Sequence, residues 1–312
     1  MLLSVVLSFR NEEEVIPELI RRLRDSICPL GLDYEFIFVN DYSLDRSLAI
    51  LKEEQKKDPG VKIINMSRVF GNATCILAGL KYSSGDVVVY MDADLQDPPE
   101  LIPKMLEEFN KGADVVYTTR LSRDGESWLK MLVTKWAYRI LKYSSNFNLP
   151  VDSGDFKMLS RRIVNEVIRM KEKNPFVKGL VSWVGFKQVP VYYHREKRFA
   201  GETHFPFFKG SGIQAFFFAL TAFSTLPLNL ALLLGFIISF LSFFYLIAII
   251  AMFFIGINIP GWTAIMAVML ILGGTQLLTL GLMGIYLGRV YEEVKARPNY
   301  IVESTVGFEG ER

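Results

Sequence analysis

Hydrophobic positions fall into two textures along this chain. Up to about residue 204, short apolar runs alternate with charged segments, whereas from Gly210 to Gly288 not one Asp, Glu, Lys, Arg or His occurs. In the first part, residues 2–9, 34–40, 61–65 and 87–91 are rich in β-branched and aromatic side chains, the signature of buried strands. Asn11 with Glu14 three residues on reads as an N-cap and capping box, predicting a helix through about Arg24. Ser43 reads as the cap of a helix over 44–57, ended by Asp58-Pro59-Gly60. A turn at Gly71 precedes a helix over 73–82, and Pro99 opens another that runs to about Lys111. Strand–helix–strand–helix at this spacing predicts right-handed crossovers, hence an α/β fold with a mainly parallel sheet. Further on, 114–119 reads as a strand ending at Arg120 and 127–146 as a basic, aromatic helix. Residues 151–156 read as a tight turn presenting Asp155, 161–170 as a helix, and 187–193 as extended.

The second texture reads as membrane. Residues 205–224 are aromatic and broken by Pro206 and glycines, as expected of helical structure lying in the interface. Residues 228–254 and 263–287 are each long enough to span about 30 Å of hydrocarbon. Trp262 sits where an interfacial anchor belongs, and Arg289, Lys295 and Arg297 follow the second span, while 256–261 carries no basic residue. The positive-inside rule therefore expects the soluble domain and both termini in the cytoplasm. The chain divides into a soluble domain (1–204), an interfacial segment (205–227), a two-helix transmembrane domain (228–288) and a cytoplasmic tail (289–312) in which 298–302 reads as a short strand. Gly273-Gly274 and Gly281-x-x-Gly284 suit close helix packing between protomers.

Composition adds little to this picture. The net charge of +2 gives no reason to expect nucleic acid as a partner. Cys28 and Cys75 lack metal-ligand spacing and read as small core residues. The apolar N-terminus has no basic leader or small-residue cleavage site and reads as a first strand, not a signal peptide.

The chemistry gathers at strand ends. The run beginning at Val87 ends in Asp92-Ala93-Asp94-Leu95-Gln96-Asp97-Pro98-Pro99. Carboxylates at i and i+2 of an extended segment share a face and repel unless a cation sits between them. A hard ion such as Mg²⁺ or Mn²⁺ takes one or two such groups and completes its shell with water and phosphate oxygens. The bland reading is a solvated acidic turn. In parallel sheets, however, ligands bind beyond the carboxyl ends of the strands. Asp41, Asp92, Asp94 and residues 8–12 all fall at such ends, which favours a binding rim. The basic stretch from His194 to His204 reads either as a lipid-headgroup patch or as an arginine clamp on phosphates.

Six stretches together resemble the family 2 glycosyltransferases of GT-A (Rossmann-like) fold, specifically the polyprenyl-phosphate glycosyltransferases. They are Ser8-Phe9-Arg10-Asn11-Glu12-Glu13, Val39-Asn40-Asp41-Tyr42-Ser43-Leu44-Asp45, Arg68-Val69-Phe70-Gly71, residues 92–100, Ser153-Gly154-Asp155-Phe156 and Arg195-x-x-Arg198-x-x-Gly201-x-Thr203. The resemblance implies a nucleotide-sugar site at Ser8, Arg10, Glu12, Asp41, Asp92, Ala93, Gln96 and Arg198, with Mg²⁺ or Mn²⁺ on Asp92, Asp94 and Gln96. It implies catalytic roles for Asp94 and Asp155, and a polyprenyl phosphate acceptor held by Arg120, Lys135 and Arg195. It implies transfer of one sugar with inversion, and a homo-oligomer, a tetramer in related proteins. Arg10 stands where the family usually has Tyr, Tyr42 where it has Gly, and His204 where it has Lys, so the choice between uracil and guanine stays open. Two other readings were weighed. A processive polysaccharide synthase needs a Gln-x-x-Arg-Trp motif, which is absent. A membrane-anchored nucleotide-binding module without catalysis has no use for both Asp94 and Asp155.

Overall fold

The computed structural model describes residues 1–120, 153–173, 175–194, 226–255 and 261–308. Residues 205–225 of the expected interfacial segment and the basic helix over 127–146 lie outside them, while 226–227 open the first long helix. The described chain forms two compact units: the sheet, its helices and the tail from Arg297 onward make one, and the two long helices up to Ala296 make the other.

In the first unit the apolar runs become strands β1 (Leu2–Phe9), β2 (Asp33–Asn40), β3 (Val61–Met66) and β4 (Val87–Asp92). They pair in parallel with β1 between β2 and β4. Near-continuous apolar runs suit strands covered on both faces. One face packs on α1 (Ile16–Ile27) and α4 (Ile102–Asn110), the other on α3 (Asn72–Tyr82), with α2 (Ser47–Lys57) completing the crossovers. Beyond β4 come β5 (Val115–Arg120), β6 (Ser153–Ser160), α5 (Arg161–Arg169), α6 (Val177–Trp183) and β7 (Gln188–Tyr193). The strand order is β7-β5-β6-β4-β1-β2-β3-β8, where β8 is Val302–Val306.

The mainly parallel α/β sheet is as expected, with two antiparallel insertions. Strand β6 runs against β4 and β5, so Asp155 sits in a strand and not in the expected turn. Strand β8 starts where the expected tail strand ended and runs against β3, covering that edge. Asn65 Nδ2 donates to Ser304 Oγ at 2.9 Å, and Asn40 Nδ2 donates to Asn65 Oδ1 at 3.2 Å, so a polar ladder runs from the tail into β2.

Two helix starts differ from expectation. Helix α1 begins at Ile16, with no side-chain cap. Asn11 instead turns left-handed (φ 53°) and spends its polar groups on the next loop. Its amide donates to Ser43 Oγ (3.0 Å), and its Oδ1 accepts from the Leu44 amide (2.8 Å). Ser43 is thereby drawn away from α2, which begins at Ser47. Cys28 is exposed, not core, because it follows the last turn of α1; Cys75 is buried as expected.

At the opposite end of the strands, Glu35 is 2% exposed and fully partnered. It accepts from Ser4 Oγ (2.5 Å), Lys62 Nζ (2.7 Å) and the Ser84 amide (2.7 Å). Burial pushes its pKa up, but the Lys62 ammonium, the Ser4 hydroxyl and the Ser84 amide outweigh this and hold it below the ordinary value. A depressed folded pKa contributes stability at pH above the unfolded value of about 4.3, and the contribution is lost as pH falls through the folded pKa. Glu35→Ala is expected to cost about 2 kcal/mol at pH 7, the loss of a largely buried, charge-assisted network. Thermal melts of the full chain in detergent should show the gap between wild type and variant closing as the pH drops below 4; a gap independent of pH would contradict this account.

In the second unit, α7 (Leu226–Ile255) and α8 (Trp262–Val294) contain stretches long and apolar enough, by length and composition, to cross a membrane. Helix α8 continues past the expected end of the second span, through Arg289 and Glu293.

Candidate active site

The order β3-β2-β1-β4 reverses direction at β1, and the crevice between the carboxyl ends of β1 and β4 is where such sheets bind ligands. Ser8 and Asp92 are register partners at that switch point. Register Tyr90↔Lys157 between β4 and β6, continued by two places, sets Asp92 beside Asp155. Asp94 joins them differently from expectation. The strand ends at Asp92, and a turn through left-handed Leu95 (φ 56°) carries Asp94. Leu95 is fully buried, and Asp94 Oδ1 accepts from the Gln96 amide at 3.1 Å, which together fix the turn.

The carboxylates perturb one another. Burial first, then the charges of Asp155 and Asp94, push Asp92 up to about 7, against the Asn72 amide that donates to its Oδ1 at 2.7 Å. Among the described residues Asp155 pairs with Lys178, whose Nζ on α6 lies at 3.6 Å. Beneath them Lys157 is 1% exposed, pushed down to about 7 by burial and then by Lys178. The Tyr90 hydroxyl beside it is buried with no hydrogen-bond partner among the described residues; burial, then Asp155 and Asp92, hold it neutral.

The other predicted residues sit at neighbouring strand ends. Asp41 is buried, and its two oxygens accept from the amides of Phe70 (2.7 Å) and Gly71 (3.0 Å). Cys75 is buried beside Asp41; burial and then Asp41 hold its thiol well above the ordinary value. Glu12 is buried, and its amide donates to Ser47 Oγ at 3.0 Å. Arg10 Nε and Asn72 Oδ1 are buried without partners among the described residues, so the rim keeps unspent polar atoms. Ala93 is core, 2% exposed. Arg120 ends β5 and its side chain lies outside the description, as do Lys135, Arg195 and Arg198. A nearby cleft is lined by residues 11–15 and Asp45; it is acidic and touches none of Asp92, Asp94 and Asp155.

Sequence reasoning assigned nothing to Lys178, Lys157, Tyr90 or the buried Asp97, which accepts a hydrogen bond from the Tyr193 hydroxyl. Helix α6 has seven residues, too short for a readable period, and Lys157 and Tyr90 face each other only across strands.

Residues 4–168 match the profile of the family described as Glycosyl transferase family 2. The chain belongs to that family. This glycosyltransferase is 44% identical to the uncharacterized glycosyltransferase YkcC of Bacillus subtilis (strain 168), over 99% of this chain and 95% of that one. It is 35% identical to the bactoprenol glucosyl transferase of Shigella phage SfII, over 98% of each chain. A prophage bactoprenol glucosyl transferase homolog of Escherichia coli (strain K12) is also 35% identical, over 97% of this chain and 99% of its own. Family 2 membership removes the non-catalytic module from consideration.

Proposed function

We propose that this glycosyltransferase moves one sugar from a nucleoside diphosphate sugar to a polyprenyl phosphate at the cytoplasmic face of a membrane, with inversion. The observation that carries this reading is the meeting of Asp92, Asp94 and Asp155 at the β1/β4 switch point of a chain that also holds two membrane-length helices. Relatives named bactoprenol glucosyl transferase match across the whole chain, both helices included, which supports the lipid acceptor.

Asp92 and Asp94 fit a hard divalent cation, Mg²⁺ or Mn²⁺: the donors are oxygens, and the high proton affinity of Asp92 reflects burial first and then the charges of Asp155 and Asp94. Among the described residues no three His, Cys, Asp or Glu side chains form a cage, so Asp92, Asp94 and Gln96 would hold the ion together with water and diphosphate oxygens. Bound there, the ion supplies charge neutralisation for the leaving diphosphate. Ser8, Arg10, Glu12 and Asp41 line the nucleoside end, with Arg198 on the diphosphate. Asp155 faces the acceptor. A phosphate monoester is largely dianionic at neutral pH, with a second pKa near 6. Asp155 therefore has little deprotonation to do; paired with Lys178, it orients the attacking phosphate, and Arg120, Lys135 and Arg195 hold that phosphate. One oxygen attacks the anomeric carbon as the nucleoside diphosphate departs from the opposite side, which inverts configuration.

Strand β8 pairs with β3 in the same sheet as β1, which supports an even number of bilayer crossings between them. Helices α7 and α8 supply two crossings, and the basic residues after α8 favour the cytoplasm for the sheet and tail.

The test is a radiolabel transfer assay. Purified full-length protein in detergent receives undecaprenyl phosphate, Mg²⁺ or Mn²⁺ and a panel of UDP- and GDP-sugars, and organic-phase label is counted. One donor giving labelled lipid, abolished by EDTA, is the expected result. Label in the lipid that survives EDTA would remove the cation, and transfer only to a water-soluble acceptor would remove the polyprenyl phosphate.

A further inference from the structure

Three non-glycine residues hold left-handed backbone at the carboxyl ends of the central strands: Asn11 (φ 53°), Tyr42 (φ 60°) and Leu95 (φ 56°). Two of them are explained by what they touch. Asn tolerates this region, and Asn11 makes a hydrogen bond in each direction to the 43–44 loop. Leu95 is fully buried, and core packing holds it.

Tyr42 has no such return. Its side chain is 45% exposed, and among the described residues its ring stacks on nothing and its hydroxyl makes no hydrogen bond. The conformation is nevertheless imposed from both sides. Asp41 is tied to the amides of Phe70 and Gly71, and the Ser43 amide donates to Asn40 Oδ1 at 2.9 Å. Strain that the protein's own contacts do not compensate points to a ligand. The turn holds the backbone of an exposed aromatic residue directly after Asp41, at the end of the crevice proposed above for the nucleoside. The neighbouring ring, Phe70, is covered by the Arg68 guanidinium at 4.2 Å.

We propose that Tyr42 is the stacking platform for the donor's nucleobase and so a donor-binding residue. This rests on the nucleotide-sugar reading above. A planar base gains from a rigid aromatic face whichever base it is, while the hydroxyl adds a polar edge.

The test uses the full chain in detergent with Mg²⁺, titrated calorimetrically with UDP, GDP and inorganic pyrophosphate. Tyr42→Phe keeps the ring and should bind nucleotide like wild type. Tyr42→Gly and Tyr42→Asn both accept the backbone without the ring; each should weaken the preferred nucleotide about tenfold, or about 1.4 kcal/mol. Pyrophosphate affinity should not change, and the melting temperature should hold or rise, since the strain is relieved. Three results would overturn the inference: nucleotide binding undiminished in the Gly and Asn variants, an equal loss for pyrophosphate, or a fall in melting temperature, which would make Tyr42 structural. Wild-type protein that binds neither nucleotide would overturn the donor reading and this inference with it.

Discussion

Asp94→Asn is expected to lower sugar transfer at least about a thousandfold, some 4 kcal/mol of transition-state stabilisation, while leaving the fold intact. The substitution isolates charge from geometry. Asp94 Oδ1 braces its turn by accepting from the Gln96 amide, and an asparagine carbonyl accepts the same bond. Leu95, fully buried in its left-handed conformation, still anchors the loop. Only the negative charge beside Asp92 and Asp155 is lost, and with it half of the carboxylate pair proposed to hold the cation. Melting temperature and far-UV spectrum should match wild type, while Mn²⁺ affinity and the transfer rate fall together. Asp94→Ala should lose activity equally but also loosen the turn, so its melting temperature should drop. Wild-type turnover in Asp94→Asn would sink the cation assignment; lost turnover with undiminished Mn²⁺ binding would move Asp94 from the metal to the sugar.

The parts of this molecule visible from sequence are those whose cause is local. Residues 87–92 announce a covered strand because both faces are apolar. What was missed depends on partners distant in sequence. Ser153-Gly154-Asp155 carries turn-forming residues, yet β6 extends because β5 pairs with it as far as Ser153 and β4 pairs with its residues 157–160. Gly154 is there for contact, since a Cβ would lie 2.9 Å from Thr118 Oγ1. Asn11 and Glu14 satisfy a capping pattern, but loop 43–47 outbids the helix: the amides of Asn11, Glu12 and Glu13 donate to Ser43, Ser47 and Asp45, and the Arg46 amide donates back to Glu13. The approach of Asp92 to Asp94 was expected from strand periodicity and arises from a turn. The residue types that carry the chemistry were therefore readable, while the contacts that hold them, Lys178 on Asp155 and Asn72 on Asp92, were not.

Gly79→Ala is expected to destabilise the protein by about 3 kcal/mol, the upper end for overpacking a well-filled core. The direction runs against helix propensity, which favours Ala over Gly by about 1 kcal/mol in a helix interior. Packing decides, because Gly79 lies where α3 crosses β1 and β2. An added Cβ would sit 2.2 Å from Val6 Cγ1 and 3.1 Å from Val39 Cγ2, both on fully buried side chains of central strands. Neither strand can retreat, since each is paired on both sides, so α3 must lift. Lifting it reaches the active site through the helix start. Phe70 and Gly71 lend their amides to Asp41, and Asn72 holds Asp92, so both carboxylates lose their supports together. Activity should therefore fall at temperatures where the variant is still folded, with a higher KM for the donor. Val6→Ala removes the methyl that the new Cβ meets. The double variant should recover much of the lost stability, a coupling of the size found between residues in contact. Additive losses in the double variant would mean that α3 does not rest on Val6, and an unchanged melting temperature in Gly79→Ala would remove the close approach itself.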